Sequence, residues 1–211
     1  MQTYVRGTAN PRLLRAMCGV SSRFITHTGA ESVSKKEARR WIEDAEMQLF
    51  ARSSQPTLSD LEAWVIVSLD HIVSRCFPKA LVALSLMVRL AYMMRLNHED
   101  DRLGFLTQER RRRLMWSIFV SETLYSSGRG EFTACSRDLI HVRLPCDEIS
   151  FSRDEAVTTE PLVRDISQPP ANGTMGLMAY CTRVLDIRDR TQRLVYLSLA
   201  VPFVILISDA G

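Results

Sequence analysis

The residues able to do chemistry in this chain are scattered rather than clustered. Its four histidines (His27, His71, His98, His141) and five cysteines (Cys18, Cys76, Cys135, Cys146, Cys181) lie far apart. None forms the Cys-x-x-Cys or His-Glu-x-x-His arm that would offer two ligands to one metal ion. No Gly-x-Ser-x-Gly elbow or Walker loop supplies a nucleophile or a phosphate cradle. His71 sits on a helix beside an apolar stripe, where a half-buried, satisfied ring is expected rather than a ligand. Asp60 and Asp70 give no convincing carboxylate pair. The sequence points away from an enzyme, and no catalytic, cofactor-binding or metal-ligating residue is assigned.

Two short motifs carry the strongest local signals. The first is the run Arg110, Arg111, Arg112 and Arg113. Placed at the start of a helix, such charge opposes the macrodipole by a few tenths of a kcal/mol per exposed group. Glu99, Asp100, Asp101 and Glu109 are near enough in sequence to neutralise it. Three readings follow: a salt-bridged helix start, an import or partner-binding patch, and direct phosphate contact. Four charges without interleaved aromatic residues are a weak nucleic-acid signal. The second motif, Gly128-Arg129-Gly130, lacks the third glycine and preceding strand of a dinucleotide loop. It reads instead as a helix stop whose glycines allow positive φ.

The elements that must position these motifs are helical. Asn10-Pro11 pairs a cap with a proline in the first turn and opens a helix to about Phe24. Residues 26–33 are polar and read as a loop. Ser34 and Glu37 have capping-box spacing before a helix with Ala38, Trp41, Ile42, Ala45 and Leu49 on one face. Pro56 stops it, and Ser59-x-x-Glu62 begins another with Leu61, Trp64, Val65, Leu69, Ile72 and Val73 inward. Pro78 opens the most apolar helix (Leu81, Leu84, Met87, Val88, Ala91, Met94), expected at the centre of the bundle, with Arg89 and Arg95 outward. After the polar loop Asn97–Asp101, Thr107 caps a helix to about Tyr125, with Leu114, Trp116, Ile118 and Phe119 in the core. Residues 128–173 are mostly irregular. A last amphipathic helix uses Leu177, Tyr180, Cys181, Val184, Ile187 and Leu194.

Bulk composition agrees with a folded domain. The chain has 211 residues, 46% hydrophobic and 24% charged, with a net charge of +3 that does not imply nucleic-acid binding. An odd number of dispersed cysteines and no secretory signal predict a reduced, intracellular protein whose sequon Asn172-Gly173-Thr174 stays unglycosylated. The apolar run from Leu194 to Ser208 is shorter than the ~20 residues of a membrane span, contains Pro202, and predicts no membrane partner.

The block from Thr107 to Glu148 resembles the signature of the fungal-specific transcription factor domain. This is the helical middle homology region found downstream of the zinc binuclear cluster in many fungal regulators. Glu109, Arg111 to Arg113, Leu114, Met115 and Trp116 match its basic run leading into Leu-Trp-Trp. Gly128-Arg129-Gly130 stands where the family has Gly-Arg-Pro, and Ile140, Val142, Leu144 and Pro145 match its closing extended segment. Ser121-Glu122-Thr123 replaces the family's usual Asp-Arg pair, so Glu122 needs a different partner. Likeness starts near Pro11-Arg12-Leu13-Leu14-Arg15-Ala16 and runs to about Phe151.

The resemblance implies an all-α, multi-helix bundle with an irregular segment and a further C-terminal helix. It divides the chain into an extension (1–10), the regulatory domain (11–151), a loop or linker (152–173), a C-terminal helix (174–193) and an apolar tail (194–211). That tail is expected to be aberrant, as from an unspliced intron. The implied function is that of a transcription factor's regulatory domain, acting in the nucleus on RNA polymerase II genes, with the DNA-binding zinc cluster missing. Zinc is expected only in that missing cluster. Implied partners are other transcription regulators or a full-length zinc-cluster factor, DNA only through the missing module, and a small-molecule effector. The signature or interaction residues are Arg110 to Arg113, Leu114, Trp116, Gly128, Arg129, Leu144 and Pro145. The alternative is a helical protein-interaction or small-molecule-binding domain unrelated to transcription.

Overall fold

In the computed structural model, residues 10–24, 35–164, 171 and 173–208 are described, with side chains up to Ser198. The described residues are all-α: seven α-helices, short 3-10 turns and one isolated bridge between Cys146 and Met175. The chain divides into two compact units, Met1–Met94 and Arg95–Gly211. His27, the loop expected over 26–33, Ser34 and Asn172 lie outside the described residues.

The first unit holds α1 (Pro11–Ser21), α2 (Lys35–Ala51), α3 (Leu58–Val73) and α4 (Phe77–Met93). Helix α1 starts as expected: the Asn10 side chain accepts from the Arg12 amide, with Pro11 in the first turn. It packs on α2 and α3, closely enough at Gly19 that a Cβ there would lie 2.7 Å from Ile42 Cδ1. The cap of α3 is Thr57 rather than Ser59, in a reciprocal box with Asp60. Asp60 then ties two helix starts together, accepting from Arg12 Nε at 2.7 Å and Asn10 Nδ2 at 3.0 Å.

The buried face of α3 is not the expected apolar stripe. Leu61 and Trp64 are core, but Leu69 and Val73 are exposed while Asp70 and His71 are buried. Ion partners turn the helix: Arg23 donates to Asp70 at 2.6 Å and His71 meets Glu46 at 3.0 Å. His71 is thus more buried than half, but satisfied, as expected. Helix α4 buries Ala83, Leu84, Met87, Val88 and Ala91 yet exposes Phe77, Val82 and Met93, so it is not enclosed on all sides.

The second unit is built on α5 (Phe105–Ser126), with α6 (Glu148–Ser152) and α7 (Leu177–Ser208). Gly104 is the N-cap of α5, not Thr107, so the arginine run sits beyond the first turn. Helix α5 is the enclosed one: Leu114, Met115, Trp116, Ile118, Phe119, Ser121, Glu122 and Thr123 are all buried, which takes in most of its circumference. A helix with so many polar residues can occupy that place because its polar groups find internal partners. Helix α7 packs on α5 and continues through Pro202 to Ser208, beyond the end at 193 expected of the C-terminal helix; a proline interrupts one backbone hydrogen bond without having to end a helix.

The amphipathic reading of α7 is also inverted. Leu177, Tyr180, Cys181, Val184, Ile187 and Leu194 face outward, and Ala179, Thr182, Asp186 and Asp189 are buried. Small side chains allow close approach, and the buried aspartates meet cations: Arg137 Nη1 lies 3.0 Å from Asp186 and Arg193 Nε 2.6 Å from Asp189.

Candidate functional site

The first half of α5 and the extended segment 140–146 form one polar lattice. Strand-like backbone without a partner strand must find other partners for its N–H and C=O groups. Here side chains and loop carbonyls provide them. Trp116 Nε1 donates to the Arg143 carbonyl at 2.8 Å, Cys146 N–H to Glu109 Oε1 at 2.9 Å, and Arg143 N–H to Glu99 Oε1 at 2.9 Å. Asn97 brackets the segment's start, donating from Nδ2 to the Leu139 carbonyl and accepting from His141 N–H, both at 2.8 Å. The Leu144 amide reaches the Glu160 carbonyl at 2.8 Å, and the buried Thr159 hydroxyl donates to the Leu144 carbonyl. The loop 153–164 therefore clamps the segment instead of merely linking helices.

Glu109 is the hub. It is fully buried and lies 3.3 Å from Arg112 Nη1 and 3.1 Å from Arg113 Nε. Arg112 grips Glu99 with two parallel bonds of 2.8 and 2.9 Å. Arg113 adds Glu148 at 2.7 Å and the Cys146 carbonyl at 3.1 Å, and lies 4.2 Å above the Phe151 ring. Burial works to lower both guanidinium pKa values, but the facing carboxylates more than offset it and both are raised. Burial and then the Glu109 charge push the Cys146 thiol up to about 11, which favours the neutral thiol.

The expected signature residues separate into groups. Arg112, Arg113, Trp116 and the Leu144 backbone bond within the lattice, Leu114 and Pro145 are buried, and Arg111 reaches the Arg95 carbonyl at 2.9 Å. Arg110 is exposed. Gly128 and Arg129 follow the other end of α5, whose last residue Ser126 is roughly 20 Å from Arg113 at 1.5 Å per residue. Ser127 (φ 49°) and Gly128 (φ 82°) stop the helix in left-handed conformations. A Cβ on Gly128 would sit 2.6 Å from Gln192 Cβ, so glycine is required twice over, while Gly130 faces open space. Arg129 lies 5.9 Å from the Tyr196 ring centre.

Two features were missed by sequence reasoning. His98 and His141, distant along the chain, stand with ring centres 4.8 Å apart; burial, then His141 and Arg95, lower the His98 pKa. Glu122 is buried, and its Oε1 accepts from the Ala134 amide and from the Cys135 amide at 3.2 Å, while Oε2 has no hydrogen-bond partner among the described residues. Burial raises its pKa against the pull of those amides and Arg193, with Asp189 pushing the same way as burial. The departure from an Asp-Arg pair at this position was visible; the loop amides that answer it were not. Among the described residues, no group of three or more histidine, cysteine or acidic side chains is placed to hold a metal ion, and no helix is long and apolar enough to cross a membrane.

Comparison with known proteins accords with this architecture. A family model described as "Fungal specific transcription factor domain" matches residues 2–185. The chain is 26% identical over 217 residues to the Zn(2)-C6 fungal-type transcription factor FTF1c of Fusarium oxysporum f. sp. lycopersici, covering 90% of this chain and 23% of that one. FTF1a of the same organism is 28% identical over 166 residues, 70% of this chain and 15% of that one. A transcriptional regulatory protein of Schizosaccharomyces pombe is 26% identical over 197 residues, 83% of this chain and 20% of that one. The chain thus spans less than a quarter of the length of these relatives. No solved structure matches it.

Proposed function

The chain belongs to the fungal specific transcription factor domain family, and from that premise we propose that it is the regulatory region of a nuclear factor governing genes read by RNA polymerase II. The family and these relatives are transcription factors rather than enzymes. The match over residues 2–185 carries the proposal. The fold supports it, because the residues that looked most chemical are spent on structure: Glu109, Arg112 and Arg113 hold the extended segment to α5.

Among the described residues, no three histidine, cysteine or acidic side chains are grouped as a zinc site would require. In this reading zinc and sequence-specific DNA contact belong to a separate cluster module, and the domain sets that module's activity through protein contacts or an effector.

The test is a fusion of the 211-residue chain to an unrelated DNA-binding module, assayed on a reporter in a fungal host. The fusion should change reporter transcription several-fold relative to the module alone, and a fluorescent version should enrich in the nucleus. Reporter output equal to the bare module, with the fusion folded and nuclear, overturns the proposal.

A further inference from the structure

His98 and His141 are titratable side chains that the lattice brings together without using. His98 closes the turn ahead of α5, and His141 stands near the start of the extended segment. Backbone contacts set their approach. The His141 amide donates to the Asn97 carbonyl at 2.8 Å, and Asn97 Nδ2 donates to the Leu139 carbonyl at 2.8 Å. The two rings then lie with centres 4.8 Å apart and planes tilted by 30°, an offset stack.

Such a stack suits two neutral imidazoles and not two imidazolium ions. Imidazole changes charge between about pH 5 and 8, and two positive charges at this spacing repel. The surroundings do not relieve them. Burial first, and then His141 and Arg95, hold the His98 pKa below 6.5. Arg111, from α5, adds a further guanidinium at the Arg95 carbonyl. The nearby carboxylates have other partners: Glu99 meets Arg112 and the Arg143 amide, Asp100 meets Arg102, and Asp138 lies 4.0 Å from Arg137. Asp101 is exposed. A pKa lowered by folding means that the folded state binds fewer protons than the unfolded chain. The contact therefore contributes stability above pH 6.5 and loses it as pH falls through the folded value.

We propose that the His98–His141 stack is an acid-sensitive catch: it holds the start of the extended segment, residues 140–142, to the turn ahead of α5 and releases it when both rings are protonated. The far end of the segment stays in place, because Glu109 holds the Cys146 amide and Thr159 holds the Leu144 carbonyl, with neither ring involved. The catch stands apart from the transcriptional reading, so either can fail alone.

The test is nuclear magnetic resonance on the whole chain. Imidazole proton shifts follow each ring, and backbone amide exchange, corrected for the intrinsic effect of pH, follows the segment. Between pH 7.5 and about 5.5, protection of the His141 amide should fall several-fold while that of the Cys146 amide holds. High salt should shrink this response. His141→Phe keeps a ring to stack on and removes one charge. In that variant His98 should titrate at a higher pH, its cation now facing an aromatic ring, and the amide at 141 should stay protected at the lower pH. His98→Gln should make protection at 141 the same at both pH values. Native His98 titrating at or above 6.5 overturns the proposal, as does unchanged protection of the His141 amide. A loss spread equally to Cys146, which is general unfolding, or a full response retained in His141→Phe overturns it too.

Discussion

Helix α5 carries two buried glutamates in opposite circumstances. Glu109 sits among two guanidinium groups and a backbone amide, and both its oxygens are engaged. Glu122, about three and a half turns later, has loop amides on one oxygen and no hydrogen-bond partner on the other among the described residues. Each is at most 1% exposed. Burying a charge is tolerable only when it is paired and hydrogen-bonded. The first site meets that condition with a rigid lattice. The second meets it half-way and compensates by a raised pKa. Equal burial therefore does not mean equal function: one end of α5 is fixed by its charges, and the other is held under electrostatic tension.

The comparison is sharpest if each half is broken in turn. Trp116→Ala removes the largest buried ring of α5 and the donor to the Arg143 carbonyl, and should cost about 3–5 kcal/mol. Urea denaturation checks it, and near-wild-type stability would dissolve the idea of a lattice core. Glu109→Ala should cost about 3–5 kcal/mol, because two part-buried arginines and the Cys146 amide lose their shared acceptor. Hydrogen exchange should localise that loss to residues 139–148. At the other end, Gly128→Ala combines a positive φ with a Cβ driven against Gln192 and should cost about 1–3 kcal/mol. Its loss of protection should fall on α7, leaving the lattice intact.

Much of this arrangement could be read from the residues alone. The Asn10-Pro11 start, the Ile42, Ala45 and Leu49 face and the Leu114 to Phe119 core follow from capping and apolar spacing, which act within a turn or two. The failures share a cause of longer range. Asp70 and His71 turn inward for partners 47 and 25 residues away in the chain, so the stripe through Leu69 and Val73 is rotated outward. On α7 the apolar face looked like the buried one, but Ala179 and Thr182 permit the close approach and Arg137 answers Asp186 from 49 residues away. Local periodicity finds an apolar face; it does not say whether this chain is what covers it. The same limit applied to Glu122, whose acceptors' partners are amides of an irregular loop with no sequence pattern of their own.

The smallest expected effect is the most discriminating. Glu122→Gln keeps the shape and one carbonyl oxygen for the Ala134 and Cys135 amides, and removes the buried charge. The folded-state pKa of Glu122 is raised above its ordinary 4.5, so between the two values the folded protein holds a proton that the unfolded chain has released. In that interval stability falls as pH rises, and above the folded pKa the full penalty of the buried anion remains. The variant carries no such penalty. Glu122→Gln should therefore be closest to wild type near pH 4 and gain relative stability as pH is raised to neutrality. Glu109→Gln, stripped of a charge that its arginines require, should be destabilised at neutral pH, in the opposite sense. Paired urea midpoints at pH 4.5 and 7.5 read both differences. If the two variants moved in the same direction, the contrast between a satisfied and a strained glutamate on one helix would be wrong, and the raised pKa of Glu122 would have to be answered by a partner that closes on its second oxygen in solution.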